Sequence, residues 1–404
     1  MNINNFQNII NSLIPGLPTW LVFITSAILI SFIVINAVVI TGALTVWLER
    51  RLLARIQSRL GPNRWGPFGL FTPVADLIKM IGKEDTVPAT ADKKIFNLAP
   101  IVLLVPVLLV FAVIPMSNNS FLGQLNIGIL FIVGVTGFNT LAVFMAAWSS
   151  RNKYALFGAM RGVAMLLSYE VPMALSIISI VLTTNFLLNI DGSNLSALSL
   201  VGIVQAQKIP FFILQPLGAL IFVTAASAEM SRAPFDMIES ESELGAGYHT
   251  EYSGIKFAIF QLTEFLAPVA TAAIISVMFA GGIKGLSFIP GSVILVVKIF
   301  VIVLIFIWIR ATWPRLRVDQ IMNFAWKFLL PLSVINIFSQ AIILQIFYSS
   351  DSIITINELW TIAFINWILA GISIFLLAKL FGHKGRDKNI PIPSKLANME
   401  FTSE

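Results

Sequence analysis

Long apolar runs alternate with short polar connections along the chain. The runs cover residues 20–47, 99–116, 127–148, 158–188, 209–228, 254–281, 290–312, 322–347 and 358–381. Each approaches or exceeds the roughly 20 residues that a helix needs to cross a hydrocarbon core of about 30 Å. Inside such a core the backbone must satisfy its own hydrogen bonds, which selects helices. The pattern predicts an all-α, polytopic membrane bundle of about nine transmembrane helices.

One connection carries a helical period of its own. In ERRLLARIQSRLGPNRWGPFGLFTPVADLIKMIGKED (49–85), Phe71, Val74, Ile78 and Ile81 recur at helical spacing, with Asp76, Lys79 and Lys83 on another face. Thr72 and Pro73 suit an N-cap and a first helical position. Gly82 suits a stop. A helix of about ten residues is too short to span, so the stretch is predicted to lie in the membrane interface.

Charge placement gives the orientation. Arg50, Arg51, Arg55, Arg59, Arg64, Lys79 and Lys83 crowd the first connection. When the runs are threaded alternately, Arg151, Lys153, Arg232, Arg310, Arg315, Arg317, Lys384, Arg386 and Lys388 fall on that same side. The opposite connections hold only Lys208 and Lys284 as bases. The positive-inside rule then puts the N-terminus outside and the C-terminus in the cytoplasm. Residues 1–18 contain no base, so 20–47 reads as a retained first helix, not a cleaved signal. No internal repeat or low-complexity linker divides the chain. It reads as a single membrane domain (1–404) with cytoplasmic segments at 49–98, 229–253 and 382–404.

Composition narrows the chemistry. Hydrophobic residues make up 57% and charged residues 11%, against about 25% charged in soluble domains. The net charge of +6 is accounted for by topology and gives no sign of a nucleic-acid partner. There is no cysteine, which excludes disulfides, thiolate-ligated iron–sulfur clusters and c-type haem attachment. His249 and His383 are the only histidines, a poor basis for a haem or multi-His metal site. If redox chemistry occurs here, another component carries the electrons.

The acids are distributed against expectation. The passage EMSRAPFDMIESESELGAGYHTEYSG (229–254) holds Glu229, Asp236, Glu239, Glu241, Glu243 and Glu251 against one base, Arg232. Positive charge should dominate on that side, so topology does not explain it. Glu170 and Glu264 lie within apolar runs, where a charge at a helix centre costs about 2.5–3.5 kcal/mol. Pro172 and Pro268 follow closely and free the carbonyls of Ser168 and Glu264. Neighbouring carboxylates near hydrocarbon hold protons in a coupled way. Glu170, Glu229 and Glu264 therefore suit a proton relay leading inward from the acidic loop. The bland alternatives are a solvated loop and acids paired with bases between helices.

The two passages together resemble the two signature regions of the quinone-site membrane subunit of respiratory complex I. This is the subunit 1 family, also called the H subunit, of proton-translocating NADH-quinone oxidoreductase. The resemblance covers nearly the whole chain. It implies a subunit joining the membrane arm to the hydrophilic redox arm and forming much of the quinone chamber. Quinone would be the substrate, while iron–sulfur clusters and flavin would belong to partner subunits, with other complex I subunits and membrane lipid as its surroundings. A bacterial-type cell membrane is the implied location. Carried over to the chamber are Glu49, Arg50, Arg59, Arg64, Phe68, Asp76, Lys79, Arg232 and Phe235. Carried over to the proton path are Glu170, Glu229, Asp236, Glu239, Glu241, Glu243, Glu251 and Glu264. Three features depart from the family. Phe265 stands where tyrosine is frequent, Thr72 where glutamine is common, and the ninth run exceeds the eight-helix form of some members. Two other functions meet the same pattern: an anchoring subunit of a related membrane-bound hydrogenase or donor:quinone complex, and a stand-alone proton-coupled transporter.

Overall fold

A computed structural model describes residues 7–8, 18–117, 123, 125–190, 192–238, 245–285, 288–348 and 356–382. These form helices α1 (Thr19–Ile56), α2 (Thr72–Gly82), α3 (Lys93–Val113), α4 (Gly128–Ser150), α5 (Lys153–Ile190), α6 (Leu200–Ala206), α7 (Phe211–Leu214), α8 (Pro216–Glu229), α9 (Gly254–Met278), α10 (Gly291–Thr312), α11 (Val318–Phe347) and α12 (Ile356–Gly382). No strand occurs among the described residues. Glu239, Glu241, Glu243 and the tail beyond Gly382 lie outside them.

Eight of these helices are long and apolar enough to cross a membrane: α1, α3, α4, α5, α9, α10, α11 and α12. The chain is a multi-pass helical membrane protein. The ninth expected run, 209–228, is different. It breaks at Gln215 (φ −130°, ψ 70°) into one turn, α7, and a 14-residue helix, α8. Pro216 causes the break, because it has no N–H to continue the ladder. At 1.5 Å per residue α8 covers only about 21 Å, and the broken pair together about 28 Å. The run is therefore two short pieces, neither long enough to cross alone.

The break leaves carbonyls that hydrocarbon cannot satisfy, and α12 satisfies them. Asn366 Nδ2 donates to the Leu214 carbonyl (2.7 Å) and Trp367 Nε1 to the Ile213 carbonyl (3.1 Å). Gln340 of α11 donates to Asn366 Oδ1 (2.7 Å). The Gln215 side chain donates to Thr183 Oγ1 and to Gln340 Oε1 (3.3 Å). A buried amide network thus joins α5, α7, α11 and α12.

Burial divides the bundle into centre and rim. The spans of α5 and α9 are each 56% buried, those of α1 and α10 only 17%. The last two therefore form the rim of the bundle. α9 packs against α1, α3 and α10, while α5 packs against α4, α8 and α11. Gly42 lets α1 approach α9 closely, since a Cβ there would meet Leu266 Cδ2 at 2.8 Å.

The short helix α2 forms where expected but is capped differently. Thr72 is its first residue and Phe71 its N-cap; the Thr72 hydroxyl turns back to the Gly69 carbonyl. Phe71, Val74, Ile78 and Ile81 are all exposed, between 49% and 64%. An apolar face left open on a helix too short to span belongs in the lipid interface. Lys298, in α10, donates to the carbonyls of Ala280, Gly282 and Lys284 at 2.7, 2.9 and 2.7 Å. It closes the turn after α9.

Replacing Asn366 by leucine leaves the Leu214 carbonyl and the Gln340 side chain short of a partner inside the bundle. We expect a loss of about 1–2 kcal/mol, read as a lower Tm of the detergent-purified protein. An unchanged Tm would show that α12 does not brace the break.

Candidate functional site

The deepest charges meet where α1, α9 and α10 converge with the loop after α8. Glu49 lies two turns beyond Gly42 on α1 and so faces the same crevice. It is only 3% exposed. Its Oε2 accepts from Arg232 Nη1 (2.5 Å), and its Oε1 accepts from Arg310 Nη1. Arg232 also reaches towards Glu264, with Nη2 3.6 Å from Oε1. Its guanidinium sits 4.7 Å from the centroid of the Phe265 ring. Two acids and two bases balance, as buried charges must. Phe265, where a hydroxyl is frequent in the resembled family, instead offers Arg232 an aromatic face. The carbonyl of Phe265 accepts from Thr45 Oγ1 (3.2 Å), which ties α1 to α9.

This quartet borders two spaces. A cavity of about 20 Å³ is lined by Thr45, Glu49, Arg232, Phe265 and Val303 among others. Beside it, an apolar groove of about 330 Å³ runs between α1, α9 and α10, lined by Leu44, Trp47, Leu48, Val269 and Phe300. Thr45 and Val303 line both. An apolar groove at the rim thus shares a wall with a pocket that holds buried charge.

A second cluster lies nearer the surface. Arg50 Nη1 is 2.5 Å from Asp76 Oδ2, and Lys79 Nζ is 2.9 Å from Asp76 Oδ1. The first bond clips α2 to α1, and the second lies within α2. Partial burial pushes the Asp76 carboxyl up, but the hydrogen bonds and charges of Lys79 and Arg50 outweigh it and hold it below 3.8. Arg50 and Arg59 also line an open cleft of about 410 Å³ with Leu53, Leu60 and Pro62.

The remaining sequence-predicted residues are placed as follows. Arg64 and Phe68 are exposed in the loop between α1 and α2. The Phe68 carbonyl accepts from Arg51 (2.7 Å) and Trp47 (3.0 Å). Phe235 is buried edge-on against Tyr169, 5.4 Å between centroids, and stands apart from the first passage. Glu251 accepts from Asn152 Nδ2 (2.6 Å) at the start of α5. Asp236 acts electrostatically on Arg310, as Glu264 does. Glu170 and Glu229 are close enough for their charges to interact, and Thr136 hydrogen-bonds to Glu229. The Glu170 carboxyl approaches α4 at Gly137, where an added Cβ would sit 3.4 Å from Oε1. Burial pushes the nearby His249 imidazole down to about 4, so it is neutral at pH 7.

The structure therefore joins Glu49, Arg232 and Glu264 in one place, Arg50, Asp76 and Lys79 in a second, and Glu170 with Glu229 in a third. A cavity of about 70 Å³ links the first to the third, since both Glu229 and Glu264 line it. Arg310 was missed by sequence reasoning. It stands among the bases that set topology, and nothing local marks it as buried.

The profile of the NADH dehydrogenase family matches residues 28–341. The H subunit of NADH-quinone oxidoreductase from Dehalococcoides mccartyi (strain CBDB1) is 48% identical over 305 residues, 76% of this chain and 83% of the relative. The NADH-quinone oxidoreductase H subunit numbered 2 in Syntrophobacter fumaroxidans is 44% identical over 315 residues, 76% of this chain and 92% of the relative. The corresponding H subunit of Bacillus cereus (strain B4264) is 41% identical over 347 residues, 84% of this chain and all of the relative.

Two outcomes follow from the geometry. Arg310→Leu removes one of two cations on a buried carboxylate while Arg232 stays, and should destabilise by about 1.5–3 kcal/mol, seen as a lower Tm, with Arg310→Lys recovering part. Asp76 has a depressed folded pKa, so its stabilising contribution is complete above 3.8 and is lost as pH falls through the lower folded value. Amide exchange in 72–82, corrected for intrinsic rate, should be constant from pH 8 to 5 and rise at pH 7 in Asp76→Asn. Equal exchange in that variant would remove the clip.

Proposed function

Because the chain belongs to the NADH dehydrogenase family, we propose how its buried charges serve it as the H subunit of an NADH-quinone oxidoreductase. The chain is a membrane subunit of that complex and assembles with its other subunits. The relatives' names favour this over a hydrogenase anchor or a stand-alone transporter.

Quinone is the substrate. Its isoprenoid tail needs an apolar way in from lipid, and its head group needs polar contacts. The groove between α1, α9 and α10 offers the first, and the pocket holding Glu49 and Arg232 the second. The observation that carries the reading is their common wall at Thr45 and Val303. Arg50, Arg59, Arg64, Phe68, Asp76 and Lys79 lie on the side where the hydrophilic arm joins and shape the mouth. Phe235, packed on Tyr169, is assigned to the chamber by the family resemblance alone. Iron–sulfur clusters and flavin reside in partner subunits, which deliver two electrons to the head group. The chain sits in a bacterial cell membrane with its N-terminus outside.

The chain's own part is proton handling. Reduction of quinone to quinol takes up two protons and changes the charge beside Arg232. Arg232 is the hinge of this coupling because it touches both Glu49 and Glu264. Movement of Arg232 between the two acids changes the charge that each of them faces. Protons then pass from Glu264 towards Glu229 and Glu170. Asp236, Glu239, Glu241, Glu243 and Glu251 supply the path from the cytoplasmic loop.

Glu229→Gln and Glu170→Gln, in membranes with the intact complex, should each cut coupled quinone reduction at least fivefold, a fraction of the roughly 10²–10⁴-fold that a positioned proton-transfer group contributes. Wild-type quinone reduction and proton pumping in both would take these acids out of the path.

A further inference from the structure

The acids of the proposed path do not touch one another all the way. Glu264 lines the cavity of about 70 Å³, and Glu229 lines both this and a second cavity of about 50 Å³. Between the cavities stands Asn139, in the middle of α4, which lines both. Its Oδ1 is buried and has no hydrogen-bond partner among the described residues. A buried amide oxygen left so costs about 1–3 kcal/mol, and such groups are rare in folded proteins. Asn139 lies one turn from Thr136, whose side chain hydrogen-bonds to Glu229. Thr136, Asn139 and Val143 thus form one face of α4, turned towards the acids.

We propose that Asn139 is a positioning residue of the proton path, whose amide oxygen holds the water that joins Glu264 to Glu229. The proposal rests on the proton-path reading above. Both cavities exceed the roughly 10–15 Å³ that one water requires. A water also needs two to four polar partners. Asn139, Glu229, Glu264 and Thr263 all line the larger cavity, while Thr136 and Thr271 line the smaller. A water between the acids donates one hydrogen bond to Asn139 Oδ1, which fixes its orientation. It accepts a proton from protonated Glu264 and passes one to the Glu229 carboxylate, so nothing is gained or lost by the water itself. Hydroxyl rotors alone would not fix the direction of transfer. An amide can, because its oxygen only accepts.

The test measures the intact complex in membranes, with short-chain ubiquinone and short-chain menaquinone each as acceptor, per assembled complex. Asn139→Leu keeps the bulk and removes the oxygen. Turnover should fall three- to tenfold, the quinone KM should change less than twofold, and the solvent deuterium isotope effect should rise. Asn139→Ala, which adds no bulk, should behave alike and serves where the leucine variant does not assemble. Asn139→Ser, which keeps a small oxygen, should return turnover to within twofold of wild type. Wild-type turnover and isotope effect in Asn139→Leu and Asn139→Ala, with Glu229→Gln impaired, would overturn the role of Asn139 and leave the path standing. Wild-type behaviour in Glu229→Gln as well would overturn both. A defect that Asn139→Ser fails to relieve would mark Asn139 as packing only.

Discussion

Glu49 is an ionised group that the surrounding hydrocarbon cannot tolerate alone, and the site is built on how it is tolerated. Two guanidinium groups hold it, one from the loop after α8 and one from α10. Taking a carboxylate out of water costs several kcal/mol, and only good geometry with balancing charge offsets it. That requirement draws α1, the loop and α10 to one point. It also leaves Arg232 shared between two acids, at 2.5 Å from Glu49 and 3.6 Å from Glu264. The second distance is an ion pair without a hydrogen bond. Arg232 is therefore bound to Glu49 by a hydrogen bond and to Glu264 by charge alone. The stable half of the quartet anchors the fold, and the loose half can respond to chemistry next door.

The same economy governs the backbone. Pro216 breaks a helix that would otherwise run through the bilayer, and hydrocarbon offers no water to mend it. Asn366 and Trp367 mend it from α12. That helix lies beyond residues 28–341, the stretch matched by the family. Part of the protein outside the matched region is thus wired to its interior. The mended helix, α8, ends at Glu229. The brace holds α7 on one side of the break, and Glu229 closes α8 on the other.

Much of this was legible in the sequence, and the boundary has a physical cause. Apolar run length found the long helices, because a bilayer sets that length. Helical spacing found α2, because only one of its faces meets lipid. Cost picked out Glu170 and Glu264, because acids are rare in such surroundings. The N-cap of α2 was misplaced by one residue, since the Thr72 hydroxyl found the Gly69 carbonyl instead. The break at Gln215 was hidden because both halves are apolar. Arg310 was hidden because a base near a helix end looks the same whether it faces water or Glu49. Pairing across a sequence separation of 261 residues leaves no local trace.

Asn139 shows why cavities matter more than contacts here. Carboxylates packed in direct contact would share protons too tightly to pass them on, because their titrations become coupled. Set too far apart in hydrocarbon, they would not exchange at all. Spaces of about 50 and 70 Å³ between them fall between these limits, provided each is polar enough to stay wet. The apolar lining of α3 and α9 works against wetting, and Thr136, Asn139, Thr263 and Thr271 work for it. The acids supply affinity for protons, and these uncharged groups decide whether the acids are connected. The proposed path depends on that second set as much as on the first.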